Sequence, residues 1–165
     1  MKKMLKRIAI VLLIALVVIQ FFRPKENTHA GPSTMHLSKL YPVPQQVGDI
    51  YTRACADCHS DNTYYPWYSK VQPVAWWLDE HVVDGKKHFN IDSFASYKLR
   101  KQYHKMEEIV DMVKSKEMPL ESYTWVHSEA KLTDAERVAL TGWATGVMDS
   151  MKAHYPIDSL VRKKK

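Results

Sequence analysis

The sequence predicts an all-α fold, because three stretches repeat their apolar residues at helical spacing. In the first, Val47, Ile50, Tyr51, Ala54, Cys55 and Cys58 fall at i, i+3, i+4, i+7, i+8 and i+11. In the second, Val74, Trp77, Leu78, His81 and Val82 share one helical face, and in the third Leu140, Trp143, Ala144, Val147, Met148 and Met151 repeat the first pattern. A length of 165 residues gives room for one modest domain. With 45% hydrophobic and 25% charged residues, the chain is neither a polytopic membrane protein nor wholly disordered, and two cysteines cannot build a disulfide framework.

The net charge of +6 belongs to the chain ends. Residues 1–25 hold six basic residues and no acid, and residues 162–165 read Arg-Lys-Lys-Lys. Between them stand 14 basic and 18 acidic residues, a net charge of −4. A basic stripe interleaved with aromatics is therefore missing, and nucleic acid is excluded as a partner.

Taken in order, the first element is residues 1–25, read as an uncleaved signal anchor. A basic start is followed by a 15-residue apolar run over residues 8–22, broken only by Gln20. Counted from Met4 with its lysines snorkelling, the segment would give roughly 28 Å of helix, close to one hydrocarbon thickness. The flanking positive charges favour an inside N-terminus and an exported body. The stretch Phe21-Phe22-Arg23-Pro24 is a poor cleavage site, and no cysteine is present there for a lipid anchor.

Residues 26–44 lack sustained periodicity and are rich in proline, so they read as a linker. The alternative is an ordered arm, since Leu40, Tyr41 and Val43 near its end offer apolar docking groups. The domain proper is expected over residues 45–156, and residues 157–165 as a basic tail.

The first helical stripe runs into the only two cysteines, in the order Cys55-Ala56-Asp57-Cys58-His59. This C-x-x-C-H spacing is the signature of covalent c-type haem attachment. Two thiols one helical turn apart can each add to a vinyl group on one porphyrin edge, and His59 next to them is the natural proximal iron ligand. Its second ring nitrogen then needs an acceptor to fix the tautomer, for which the Pro66 and Pro73 carbonyls are candidates. Attachment of this kind occurs outside the bacterial cytoplasm, which agrees with an exported body. A thiol redox pair would follow a strand, whereas a helix leads into this motif. A zinc site would need further ligands, and His81 and His88 stand too far apart for an H-x3-5-H pair.

Six aromatics between Tyr64 and Trp77 follow the motif and are expected to wall the haem, with Trp67 and Trp77 as pocket residues. His81 lies on the apolar stripe of the second helix, where it reads as a distal ligand, a propionate partner or a core histidine. His88, His104 and His127 are weaker rivals. Gly85 with Lys86 and Lys87 suits the end of that helix.

Residues 92–116 read as one or two helices, carrying Lys98, Arg100, Lys101 and Lys105 on a solvated face or a patch for an acidic partner. Met118, in Lys116-Glu117-Met118-Pro119-Leu120, is the expected distal iron ligand; the alternative is a core-filling methionine. Thr133-Asp134-Ala135-Glu136 forms a capping box that opens the last helix, an order similar to that of small cytochromes c. This helix should cross the first one, with Gly142 and Gly146 allowing a close contact or a bend.

Three stretches, CADCHSDNTYYPWYSKVQPVAWWLDEHVVDGKKHFN, EMPLESYTWVHSEAKLTDAERVAL and DSMKAHYP, resemble the bacterial haem-binding domain family of small cytochrome c-like proteins. The resemblance covers nearly the whole chain. It implies an all-helical, cytochrome c-like domain around one haem c, covalently bound through Cys55 and Cys58 with its iron on His59. The expected function is that of a membrane-anchored monohaem cytochrome, an electron carrier rather than an enzyme. Its haem domain would lie on the periplasmic side of the bacterial cytoplasmic membrane. Its partners would be redox proteins, among them other cytochromes or a di-haem peroxidase. The alternative is a haem-based sensor or peroxidase-like protein with an open or displaceable distal site.

Overall fold

The structure, a computed structural model, describes residues 1–161. Part of the expected basic tail, residues 162–165, lies outside the described residues. The regular structure described is entirely helical: α1 (Lys2–Ile19), α2 (Gln45–Ala54), α3 (Ala56–His59), α4 (Val74–His88), α5 (Leu99–Lys114), α6 (Glu121–Thr124), α7 (Asp134–His154) and α8 (Ile157–Leu160). Short 3-10 turns at Leu37–Lys39, Trp67–Lys70, Ile91–Ser96 and Ser128–Ala130 connect them.

The expected transmembrane anchor is not supported: among the described residues no helix is long and apolar enough to cross a membrane. In α1, Lys2, Lys3, Lys6 and Arg7 fill the first two turns, leaving an uninterrupted apolar part over residues 8–19. That part is about 18 Å long, well short of a hydrocarbon core of about 30 Å. The sequence reading carried the helix on to Phe22, but the chain leaves α1 at Gln20 and is fastened to the domain. Gln20 Nε2 donates to the Gln72 carbonyl at 3.2 Å, and the Gln72 backbone N–H donates to Gln20 Oε1 at 2.9 Å. The Phe22 carbonyl accepts from Gln72 Nε2 at 2.7 Å and from Trp76 Nε1 at 2.8 Å. The membrane anchor therefore drops out of the fold class, and with it the anchored form of the function, the membrane as partner and the single-pass periplasmic location.

Residues 26–44 make the contacts of an ordered arm. The Asn27 backbone N–H donates to Tyr65 Oη at 2.7 Å, and Asn27 Nδ2 donates to the Ser60 carbonyl and to Thr63 Oγ1. Ser33 Oγ donates to the Asp92 carbonyl. Leu37 is completely buried, and Trp143 Nε1 donates to the Pro42 carbonyl at 3.0 Å. A segment without helical period thus satisfies its polar groups with partners on the domain.

α5 and α7 form the centre of the core, where Met106 and Val110 pack with Ala144, Val147, Met148 and Met151. Leu160 of α8 closes the same cluster. The expected crossing of the first and last helices is present as a second cluster, in which Val47, Ile50 and Ala54 of α2 meet Leu140 of α7. The capping box also forms: Thr133 Oγ1 accepts from the Glu136 N–H, and Glu136 Oε2 accepts from the Thr133 N–H. Residues 92–116 divide as two helical pieces, the second of which holds Lys105 buried and paired with Glu108.

The stripe that leads to the cysteines is not one helix. Cys55 has φ −133° and ψ −34°, outside helical geometry, so α2 stops at Ala54 and α3 begins a new turn. The Cys55 carbonyl accepts from both the Cys58 and His59 N–H groups, at 3.2 and 3.0 Å. This short turn brings Cys58 and His59 against α4.

Candidate functional site

α3 and α4 approach so closely that only a glycine fits at the contact. A Cβ on Gly85 would stand 2.5 Å from the Cys58 carbonyl oxygen and 2.9 Å from Cys58 Cβ, distances that atoms do not tolerate. Gly85 therefore serves a helix contact inside α4, which continues to His88, rather than a helix end. The same backbone meets the imidazole of His59. His59 Nδ1 faces the Gly85 carbonyl at 3.0 Å and the Phe89 carbonyl at 2.9 Å. Two acceptors on one nitrogen require that Nδ1 carry the proton, so the Nε2 lone pair is the one free to bind a metal. The acceptors are thus Gly85 and Phe89, in place of the expected Pro66 and Pro73. Burial pulls the His59 pKa below its ordinary value, against the opposing hydrogen bonds to Phe89 and Gly85, and keeps the ring neutral.

Burial pushes the Cys55 thiol up to about 12 and the Cys58 thiol up to about 11. A redox C-x-x-C pair needs a depressed thiol pKa, so this environment is the wrong one for it. Both cysteines are free thiols. Among the described residues there is no cluster of three His, Cys, Asp or Glu arranged to hold a metal ion.

Cys58 lies in the wall of a cavity of about 270 Å³. Val74, Trp77, Leu78, His81 and Val82, the five residues predicted to share a face of α4, all line it. The opposite side is formed by Leu120, Tyr123, Trp125, Val126 and His127. Of the aromatic block, Tyr64, Tyr65, Tyr68 and Trp77 belong to the wall. Trp67 lies outside it and is 79% exposed, while the Trp76 indole is committed to the Phe22 carbonyl. His81 Nδ1 donates to the Trp77 carbonyl at 2.7 Å, and its ring lies 4.4 Å from the Trp77 ring, which leaves Nε2 as the nitrogen with the lone pair.

Met118 is half-buried and stands just outside the wall, two residues before Leu120. Its position is set by the end of α5, where Lys116 adopts φ 65° and reverses the chain. The Met118 N–H then donates to the Met112 carbonyl at 3.1 Å, and Arg137 Nη1 donates to the carbonyls of Val113 and Met118 at 2.8 and 3.1 Å.

Two groupings were not read from the sequence. Asp57, inside the motif, accepts from the Tyr64 N–H at 2.9 Å and from Tyr123 Oη at 2.7 Å, tying α3 to α6. Tyr68, His127 and Glu129 form a hydrogen-bonded chain beside the same cavity. Their separation in sequence hides them.

These observations agree with a covalently held haem: two thiols flank one helical turn, a neutral histidine has Nε2 available, and an apolar aromatic cavity opens at the second thiol. A family model described as a haem-binding domain matches residues 14–146. No curated protein and no solved structure matches the chain at a significant level.

Proposed function

The chain belongs to the haem-binding domain family, and from that premise we propose that it carries single electrons on one haem c. The family and the C-x-x-C-H motif together give one covalent haem c per chain and fit an electron-transfer protein rather than an enzyme. The observation that carries the reading is the His59 imidazole, held with Nδ1 on two backbone carbonyls, next to Cys58 in the cavity wall.

A haem held here would supply reversible one-electron chemistry at its iron. The residues of the chain do the rest. Cys55 and Cys58 would hold the porphyrin edge through thioethers, and His59 Nε2 would be the proximal ligand. Gly85 and Phe89 fix the tautomer of that imidazole and raise its basicity as a ligand. Trp77, Tyr65 and Tyr68 exclude water, and His81 is a further pocket residue. Met118 is the distal ligand in this reading, supported by the chain reversal at Lys116 and the Arg137 hydrogen bonds that fix its segment. Met118 as a ligand would raise the haem potential and leave no open position for a small molecule, which would favour electron transfer.

Spectra of the haem-loaded protein test this. Covalency is checked by denaturation, and ferric Met ligation by its weak near-infrared charge-transfer band. In Met118→Ala that band should vanish and the ferrous protein should bind carbon monoxide, with haem attachment unaffected. A variant that keeps the band and excludes carbon monoxide removes Met118 from the iron. If the unaltered protein lacks the band, His81 becomes the candidate. Ready carbon monoxide binding by the unaltered protein would instead indicate a sensor with an open distal site.

A further inference from the structure

The cavity carries a chain of titratable groups that neither haem attachment nor iron ligation uses. Tyr68 Oη and His127 Nε2 lie 2.5 Å apart, and His127 Nδ1 lies 3.2 Å from Glu129 Oε1. The Tyr123 ring stacks on the imidazole at 4.2 Å and 14°. Tyr68, Tyr123 and His127 line the cavity together with Cys58, whereas the Glu129 side chain is 59% exposed. The chain therefore joins the cavity to solvent.

The imidazole can exist in two protonation states here without breaking either hydrogen bond. When it is neutral, the carboxylate draws the single ring proton to Nδ1, and Tyr68 Oη donates to Nε2. When it is protonated, Nε2 becomes a donor, the Tyr68 hydroxyl turns to accept, and Glu129 gains an ion pair. Glu129 is an anion at neutral pH, since its own backbone N–H and then the His127 hydrogen bond hold its carboxyl below the ordinary range. Burial raises the Tyr68 phenol, so this link stays uncharged.

The groups around His127 do not compensate a change in haem charge. Asp57 of α3 is engaged by Tyr123 and Tyr64, and Arg53 of α2, which also acts on Glu129, is paired with Glu136 at 2.6 Å. Tyr123 is neutral, raised by burial and by Asp57. Cys58 carries no charge once it is a thioether. Across the cavity, His81 of α4 is the other histidine in the wall, and Tyr64 and Tyr65 are two further phenols there.

We propose that His127 takes up a proton when the haem in this cavity is reduced, so that electron transfer by this protein is coupled to proton transfer. An electron from a one-electron donor converts ferric to ferrous haem, and a proton from solvent passes by Glu129 to the imidazole. Oxidation returns both, and the charge of the cavity is the same in the two states. The inference rests on the electron-carrier reading above.

The test is the reduction potential of the full-length haem-loaded protein, followed by spectroelectrochemistry between pH 5 and 9. Coupling of one proton to one electron changes the redox equilibrium tenfold per pH unit at its steepest, or about 59 mV for a one-electron couple. The slope should appear in the unaltered protein and disappear in His127→Gln, with haem still attached through Cys55 and Cys58. In Glu129→Gln, on the exposed side, the sloping region should move to lower pH, because the carboxylate that favours the imidazolium is gone. A flat profile in the unaltered protein overturns the coupling while leaving the electron carrier intact. A slope that survives His127→Gln assigns the proton to another group, such as His81 or a haem propionate, and overturns the role of His127. Failure to attach haem under competent maturation overturns the electron-carrier reading itself, and the coupling with it.

Discussion

At the residue scale, Gly85 bears the tightest constraint of the site. In Gly85→Ala the new methyl group would meet backbone atoms of Cys58, which cannot swing aside as a flexible side chain can. Overpacking of this kind costs about 1–3 kcal/mol, and here it also displaces the turn that carries Cys58 and His59. The expected outcome is a lower melting temperature together with reduced covalent haem, read by haem stain on denaturing gels. A variant with full haem content and an unchanged melting curve would show that α3 and α4 are not held at this distance. The attachment residues were legible because five consecutive positions hold the whole motif. The partners of His59 were not, because Gly85 and Phe89 are brought in by the packing of a helix that begins fifteen residues later. Proline carbonyls nearer in sequence were the natural but incorrect expectation.

At the element scale, periodicity identified the faces of α2, α4 and α7 but not the break between α2 and α3. The spacing from Ala54 to Cys58 is the same whether the chain continues as one helix or stops at Cys55 and starts again nearly in register. The capping box of α7 was legible because its chemistry is local, and the structure adds Arg53 Nη2 donating to Glu136 at 2.6 Å. The Thr133 backbone N–H, then Arg53, lowers the Glu136 carboxyl from 4.5 to about 2. Since its pKa is depressed in the folded state, the stabilisation is complete above about pH 4.5 and is lost as pH falls towards 2. Glu136→Gln should therefore flatten the acid side of the stability profile, measured by urea melts between pH 5 and 2. An acid limb as steep as that of the unaltered protein would rule this carboxylate out as its source.

The two glycines of α7 also have a plain answer. A Cβ at Gly142 or Gly146 would meet nothing within 4 Å, and both positions are exposed. They support neither a close contact nor a packing seam. Replacing either with alanine should stabilise the protein by about 0.5–1 kcal/mol through helix propensity and a less flexible unfolded chain. A loss of stability in a chemical melt would mean that some partner occupies that face.

At the scale of the whole molecule, the folded body begins where Gln20 and Phe22 meet Gln72 and Trp76. α1 holds no buried residue and only Ile19, at its end, is half-buried, so removing residues 1–19 should leave the melting temperature within about 2 °C. A larger fall would show that α1 does pack on the body. The run over residues 8–22, broken only by Gln20, looked like a span because sequence counts apolar residues and cannot see that Gln20 and Phe22 are fastened to Gln72 and Trp76. The arm over residues 26–44 was hard to read for a related reason: an extended strip held by side-chain hydrogen bonds leaves no period.

The hydrogen bonds from His59 give the site a form of mutational insulation. Their acceptors are peptide oxygens, which every amino acid supplies, so substitution at Phe89 can alter the packing around the ring without deleting the oxygen that orients it. A histidine oriented by a carboxylate side chain would lose its partner through one change of codon. Here the path of the main chain carries the instruction, and Gly85 is the position at which a single added methyl group can redirect that path.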